Sequence, residues 1–228
     1  MKKKIVVPFQ QDRLLGDMMS KSDQCELFCL HGAGTSDRFR FDRLRERLFM
    51  KGVSSCAFDF IGHGETGGEL TRSSLRERTE MAAEVIRSCA LKGQPLIVVA
   101  ASMSGYTAVR LLEEFDVHLL VLIVPAAYDR KAYELQFSDE FSACIRREKS
   151  YRDSDAWEIL EKYCGRMLLV TAEFDQVIPD EVVDMYKRSA SLAEVDQLIV
   201  KGAPHKVIAY MSDQVVEEIA DWITITKG

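Results

Sequence analysis

The sequence predicts one α/β domain: a mostly parallel, eight-stranded sheet with helices on both faces and a short helical cap after the sixth strand. Three observations predict it. From residue 26 onward, short apolar runs of strand length alternate with stretches of helical period, the pattern of βαβ crossovers and a parallel sheet. Two of those runs, 95–101 and 118–124, are apolar almost throughout, as strands buried on both faces must be. The segment 128–165 breaks the alternation. It is longer than one crossover helix needs, and a long insert at the C-terminal end of a strand is where such proteins build a lid.

The elements follow in order. Ile5–Phe9 and Leu14–Met19 read as two strands joined by the polar turn Gln10-Gln11-Asp12. So tight a connection permits only antiparallel pairing. Glu26–Leu30 is the third strand and runs into His31-Gly32-Ala33-Gly34. Residues 39–50 place Phe41, Leu44 and Leu48 on one helical face, and Ser55–Phe60 is the fourth strand. Ser74-Leu75-Arg76-Glu77 forms a capping box that opens a helix to about residue 92. Pro95–Ala101 is the fifth strand, 103–115 a helix, and His118–Val124 the sixth strand. The insert holds two candidate helices, about 138–149 and 155–164. Met167–Ala172 is the seventh strand, Pro179 opens a helix, Val195–Val200 is the eighth strand and 212–226 the closing helix. No repeat, low-complexity tract or linker divides the chain, so one unit spans 1–228, with a small cap at 128–165.

Composition excludes several classes. A chain of 228 residues buries a full core without disulfides or metals. Hydrophobic residues at 47% and charged residues at 29% argue against disorder. The net charge of -6 disfavours nucleic acid, which is bound through clustered basic surface. The longest apolar run, Leu119–Ala127, is too short to span a bilayer. Met1-Lys2-Lys3-Lys4 is followed by no adequate hydrophobic region or cleavage site, so a cytoplasmic protein is expected. The six cysteines show no CxxC and read as reduced small hydrophobes. The four histidines show no metal-ligand spacing, and no metal or cofactor is expected.

The chemistry centres on Val98-Val99-Ala100-Ala101-Ser102-Met103-Ser104. A buried strand ends in a serine and a helix starts at once. Such a serine stands above the sheet edge beside free helix N–H groups. The turn requires small residues two before and two after it; here they are Ala100 and Ser104. Ser104 is the rival nucleophile, but its own second neighbour, Tyr106, is bulky. A serine-rich helix cap without catalysis is the plainer alternative. A base and an orienting carboxylate weigh against it. Asp175 follows the seventh strand and His205 follows the eighth. In an open parallel sheet all C-terminal strand ends share one edge, so Ser102, Asp175 and His205 converge. Glu173 is the second candidate acid. An oxyanion hole is expected from Met103 N–H and Ala33 N–H, the latter in a glycine loop that permits close approach. His31 reads as a buried loop histidine, and Asp59 with His63 as a structural turn.

These marks together resemble the α/β-hydrolase superfamily, in particular its small lipase-like and serine-aminopeptidase-like (monoacylglycerol-lipase-type) branch. The resemblance rests on His31-Gly32, Asp59-x-x-Gly62-His63-Gly64, Ser102-Met103, Asp175-x-x-Ile178-Pro179 and Pro204-His205, in the family's order over nearly the whole chain. Ala100, Ser104 and Ala172 stand where the family's motifs usually have glycine. The resemblance implies an α/β-hydrolase fold with strand two antiparallel, a cap after strand six, and no cofactor.

The expected reaction is hydrolysis of a carboxylic ester or thioester through an acyl-serine. Acyl transfer, peptide hydrolysis or carbon–carbon hydrolysis on the same triad, or a binding or receptor protein on a hydrolase fold, are the alternatives. The expected partner is a small-molecule acyl substrate, with the protein a monomer or homodimer. Tyr128, Tyr133, Phe137, Phe141 and Trp157 in the cap are candidate substrate-binding residues for a small to medium apolar acyl group. Burial of the cap against the sheet edge would require the same aromatics.

Overall fold

The alternating pattern produces a single eight-stranded sheet in the order β1-β2-β4-β3-β5-β6-β7-β8. The computed structural model describes residues 2–227; Met1 and Gly228, the extreme ends of the expected 1–228 unit, lie outside the described residues. The strands are β1 (Lys2–Phe9), β2 (Asp12–Met19), β3 (Leu27–Leu30), β4 (Ser55–Phe58), β5 (Leu96–Ala101), β6 (Val117–Ile123), β7 (Arg166–Ala172) and β8 (Glu194–Val200). The helices are α1 (Asp42–Met50), α2 (Leu75–Cys89), α3 (Met103–Leu111), α4 (Asp139–Arg146), α5 (Ala156–Leu160), α6 (Asp180–Ser189) and α7 (Asp213–Lys227). β2 runs antiparallel to both β1 and β4, and every other pairing is parallel. The predicted fold class is therefore the observed one.

Each face of the sheet carries its own core. Val98, Ala100, Leu120, Leu122 and Leu169 pack on one side with α2, α3 and the 128–165 segment. Ile97, Val99, Leu119, Val121, Leu168 and Val170 pack on the other with α1 and α7. The alternation of neighbours between the two cores is the period-two geometry of a strand. It explains why β5 and β6 must be apolar at every position.

Several boundaries differ from the sequence reading for local reasons. β1 starts at Lys2 because its backbone pairs with 17–19 of β2, whatever its side chains. The predicted helix 39–50 begins as a 3₁₀ turn, Arg38–Phe41, capped by the Asp37 carboxylate on Phe39 N–H. β4 stops at Phe58 because the chain turns there around the buried Asp59 carboxylate, which accepts from Arg38 N–H and Glu65 N–H. Both helices of the 128–165 segment are shorter than predicted. All six cysteines are free thiols. Among the described residues no helix is long and apolar enough to cross a membrane.

One buried ion network fastens this scaffold. Asp17 on β2 accepts from Arg38 Nε at 2.8 Å and Arg45 Nη1 at 2.7 Å. Arg38 also pairs with Asp59 and Glu65, and Arg45 donates to Ser55 Oγ and the Asp17 carbonyl. Burial alone would raise the Asp17 pKa; Arg45 and Arg38 outweigh it and hold the carboxyl below its usual range. The depressed folded-state pKa means that this stabilisation is fully present above pH about 4 and is lost as pH falls through the folded value. Removing one partner of a buried pair costs about 3–5 kcal/mol, so Asp17→Asn should lose that much at pH 7. In urea titrations the gap between variant and wild type should narrow below pH about 4. A gap independent of pH would show that Asp17 does not act through its charge.

Candidate active site

The strand order brings the C-terminal ends of β5, β7 and β8 to one edge. Ser102 follows β5 at φ 51° and ψ -118°, a conformation uncommon for a residue with a Cβ. Three backbone bonds hold it there. Ser102 N–H donates to Ile123 O at 2.9 Å, and Gly105 and Ala126 N–H donate to Ser102 O at 2.8 and 3.0 Å. The turn projects Oγ off the end of the sheet, at the N-terminus of α3.

His205 and Asp175 complete a chain of hydrogen bonds. Ser102 Oγ lies 3.0 Å from His205 Nε2. His205 Nδ1 lies 2.9 and 3.2 Å from the two Asp175 oxygens. A carboxylate only accepts, so the ring proton sits on Nδ1 and Nε2 is free to accept from the serine. Asp175 is held in turn by Val177 and Ile178 N–H at 2.8 and 3.0 Å. The histidine side chain is 21% exposed and the aspartate 10%, which keeps the base accessible and its partner shielded.

The rival residues are engaged elsewhere. Ser104 is fully buried and donates to His31 O at 2.6 Å, while Arg78 Nη2 donates to both at 3.1 and 2.8 Å. Glu173 accepts from Gly202 N–H at 2.7 Å and pairs with Lys201, fastening the turn after β8. His31 is fully buried; its Nδ1 donates to Gly32 O and its Nε2 accepts from Phe60 N–H. Burial, then the Arg78 cation, holds its pKa well below the usual value.

Ser102 and His205 open onto a cleft of about 290 Å³. Its walls are Gly32–Thr35, Arg40, Ala101, Ile123, Val124 and residues 205–208. Ala33 lies in this wall. Met103 is the first residue of α3, so its N–H has no intrahelical partner. Gly32 is where the loop touches the serine, because a Cβ there would stand 3.0 Å from Ser102 Cβ and 3.1 Å from Ala101 O.

The five cap aromatics, the candidate substrate-binding residues, are not among the residues that line this cleft. Phe137, Phe141 and Trp157 are buried in the core on the α2–α3 face, with Tyr128 and Tyr133 packed against it. Tyr106 lies edge-on to Tyr128 and Tyr133, and Phe137 edge-on to Phe141. Trp157 stands edge-on to Tyr186 and donates to Tyr151 O. The insert is docked on the helices by its own aromatic side chains, leaving the cleft to the loops after β3, β6 and β8. Sequence reading missed Arg40, Thr35 and residues 206–208 as lining. Their only signal was proximity to the glycine loop and to His205, with no motif to single them out.

A family model described as the alpha/beta hydrolase family matches residues 27–220, and the chain belongs to that family. Among solved structures, a ferulic acid complex of Est1E from Butyrivibrio proteoclasticus aligns at TM-score 0.74 and 15% identity over 98% of each chain. The esterase EaEST from Exiguobacterium antarcticum aligns at 0.73 and 18% identity, over 98% of this chain and 99% of its own. A thioesterase domain from the curacin biosynthetic pathway aligns at 0.72 and 15% identity over the same shares. At such identities the likeness is one of fold. No curated protein matches the sequence.

Two substitutions test this packing. A Cβ on Gly105 would sit 2.6 Å from Pro125 Cβ and 2.9 Å from its Cα. Overpacking of this kind costs about 1–3 kcal/mol, so Gly105→Ala should lower the unfolding free energy by that amount in denaturant titrations. Phe137→Ala should cost about 3–5 kcal/mol as a core truncation. A fully stable Phe137→Ala variant would show that the cap is not part of the core.

Proposed function

We propose that the protein is a serine hydrolase that cleaves a carboxylic ester or thioester of a small to medium acyl group. The observation that carries the reading is the hydrogen-bonded series Ser102–His205–Asp175 at the mouth of a cleft. In the first step His205 Nε2 takes the Ser102 proton as Oγ attacks the carbonyl carbon. Asp175 keeps the imidazole in the required tautomer and stabilises the imidazolium. The carbonyl oxygen becomes an oxyanion received by Met103 N–H and Ala33 N–H, at the positive end of α3. His205 then protonates the leaving alcohol or thiol. Water, deprotonated by His205, attacks the acyl-serine and releases the acid.

The cleft supports a short acyl chain. Its volume of about 290 Å³ falls just short of the roughly 300–1,000 Å³ typical of ligand pockets. Ile123, Val124, Val207 and Ile208 give it an apolar wall. We assign the 128–165 segment the role of a fixed cap, which supports α3 through Tyr106 and Arg110 on Asp155 and supplies no catalytic group.

A fluorophosphonate should label one serine, and mass spectrometry should place the adduct on Ser102. An adduct on Ser104 would overturn the assignment. Ser102→Ala and His205→Ala should each lower kcat/KM for a p-nitrophenyl ester by about 10³-fold or more, and the double variant by little more than either. Asp175→Asn should cost somewhat less. Glu173→Gln keeps an acceptor for Gly202 N–H and should change kcat/KM little; a loss equal to that of Asp175→Asn would reassign the acid.

A further inference from the structure

We infer that the substrate carries an anionic group, a carboxylate or a phosphate, and that Arg40 is the residue that selects it. This rests on the proposal that Ser102 is the nucleophile of the cleft, because it names what the same cleft binds. Arg40 lines that cleft together with Ser102 and His205. It is half-buried, and its Nε is buried with no hydrogen-bond partner. Among the described residues its guanidinium forms no hydrogen bond and no ion pair. Buried polar atoms are ordinarily satisfied, so the buried Nε lacks an acceptor that a ligand can provide.

The neighbouring arginines show the contrast. Arg38, two residues earlier in the same 3₁₀ turn, holds three carboxylates, and Arg45 holds Asp17. Asp42, the acid nearest Arg40 in sequence, pairs with Lys2 and Arg45, and Asp37 spends its carboxylate capping Phe39 N–H. Its field favours the Arg40 charge, yet burial outweighs it and lowers the Arg40 pKa. A guanidinium remains protonated at neutral pH all the same.

The charge of the cleft points the same way. The chain carries a net charge of -6, yet the charged side chains lining this cleft are Arg40 and Lys206, with no carboxylate among them. Asp175 is on the far side of His205 and is engaged by it. A cationic cleft in an acidic protein attracts anions and repels cations. The guanidinium fork matches carboxylate or phosphate oxygens in pairs. The site is also preorganised, because Arg38 is clamped to Asp17 and Asp59 and fixes the turn that presents Arg40. The apolar wall then faces the chain between the scissile carbonyl and the anionic group.

Two isosteric ester pairs test this. One places the charge on the acyl side: p-nitrophenyl hemiadipate against its neutral terminal amide. The other places it on the leaving group: 4-carboxyphenyl butyrate against 4-carbamoylphenyl butyrate. Hydrogen bonds to a charged group are worth about 10-fold to 100-fold. Wild type should favour the anionic member of at least one pair by about that factor in kcat/KM. Arg40→Gln and Arg40→Met should each reduce that ratio toward one, and Arg40→Lys should keep part of it, since it retains charge but loses the fork. Circular dichroism and thermal unfolding establish that each variant folds; the wild-type ratios decide even if none does. In parallel, isothermal titration of adipate and of inorganic phosphate into Ser102→Ala reads anion binding without turnover. Binding that is lost in Ser102→Ala/Arg40→Gln supports the inference. Equal rates within both pairs together with no binding of either anion, or a ratio that Arg40 variants leave unchanged, would overturn it. Absence of a fluorophosphonate adduct in wild type overturns the serine reading instead, and the titration still reports on Arg40.

Discussion

The turn at Ser102 is the constraint on which the site depends. A non-glycine residue at positive φ costs on the order of 1–3 kcal/mol and persists only where its surroundings over-determine it. Here the surroundings are backbone bonds to Ile123 O and from Gly105 and Ala126. They tie the end of β5 to the end of β6. Val124, itself at φ 43°, donates to Val170 O and ties β6 to β7. Glu173 and Phe174 N–H donate to Val200 O and Ala203 O and tie β7 to β8 and the loop before His205. The strand ends that carry the serine, the aspartate and the histidine are thus joined by main-chain bonds along the sheet edge.

Side chains at the elbow add a second layer. Serine at position 104, where a glycine is usual, fills the space with a hydroxyl that bonds to His31 O. Arg78 donates to the same carbonyl. The departure from glycine therefore joins α3, α2 and the loop after β3, and the close approach required of the turn is borne by Gly32 and Gly105 instead. The loop carrying Ala33 is anchored at one end by His31 and at the other by the buried Arg38.

The distribution of charge divides the molecule by function. Beneath the glycine loop, Arg38, Arg45, Asp17 and Asp59 are buried and pair with one another. Their value is positional, because a buried pair stabilises little over an apolar core but leaves only one arrangement satisfied. Two residues further along, Arg40 reaches the cleft without such a partner.

Strand and helix identity, their order, and the residues at three strand ends were legible in the sequence. Each depends on local composition: apolar runs such as 95–101, the capping box at Ser74, and Ser102, Asp175 and His205 each following a strand. Parallel topology then brings those ends to one edge without any knowledge of distance. Element boundaries were less legible, because Asp59 and Asp37 end and start elements through contacts with Arg38 N–H and Phe39 N–H. The cap aromatics could not be assigned from sequence. A buried aromatic and a pocket aromatic look alike until packing places Phe137, Phe141 and Trp157 in the core. Which arginines lack a carboxylate is equally invisible in one dimension, since pairing joins residues far apart, as Arg45 to Asp17. The sequence by itself determined which residues stand at the sheet edge; tertiary structure alone decided what surrounds them, because burial and charge pairing are properties of neighbours in space.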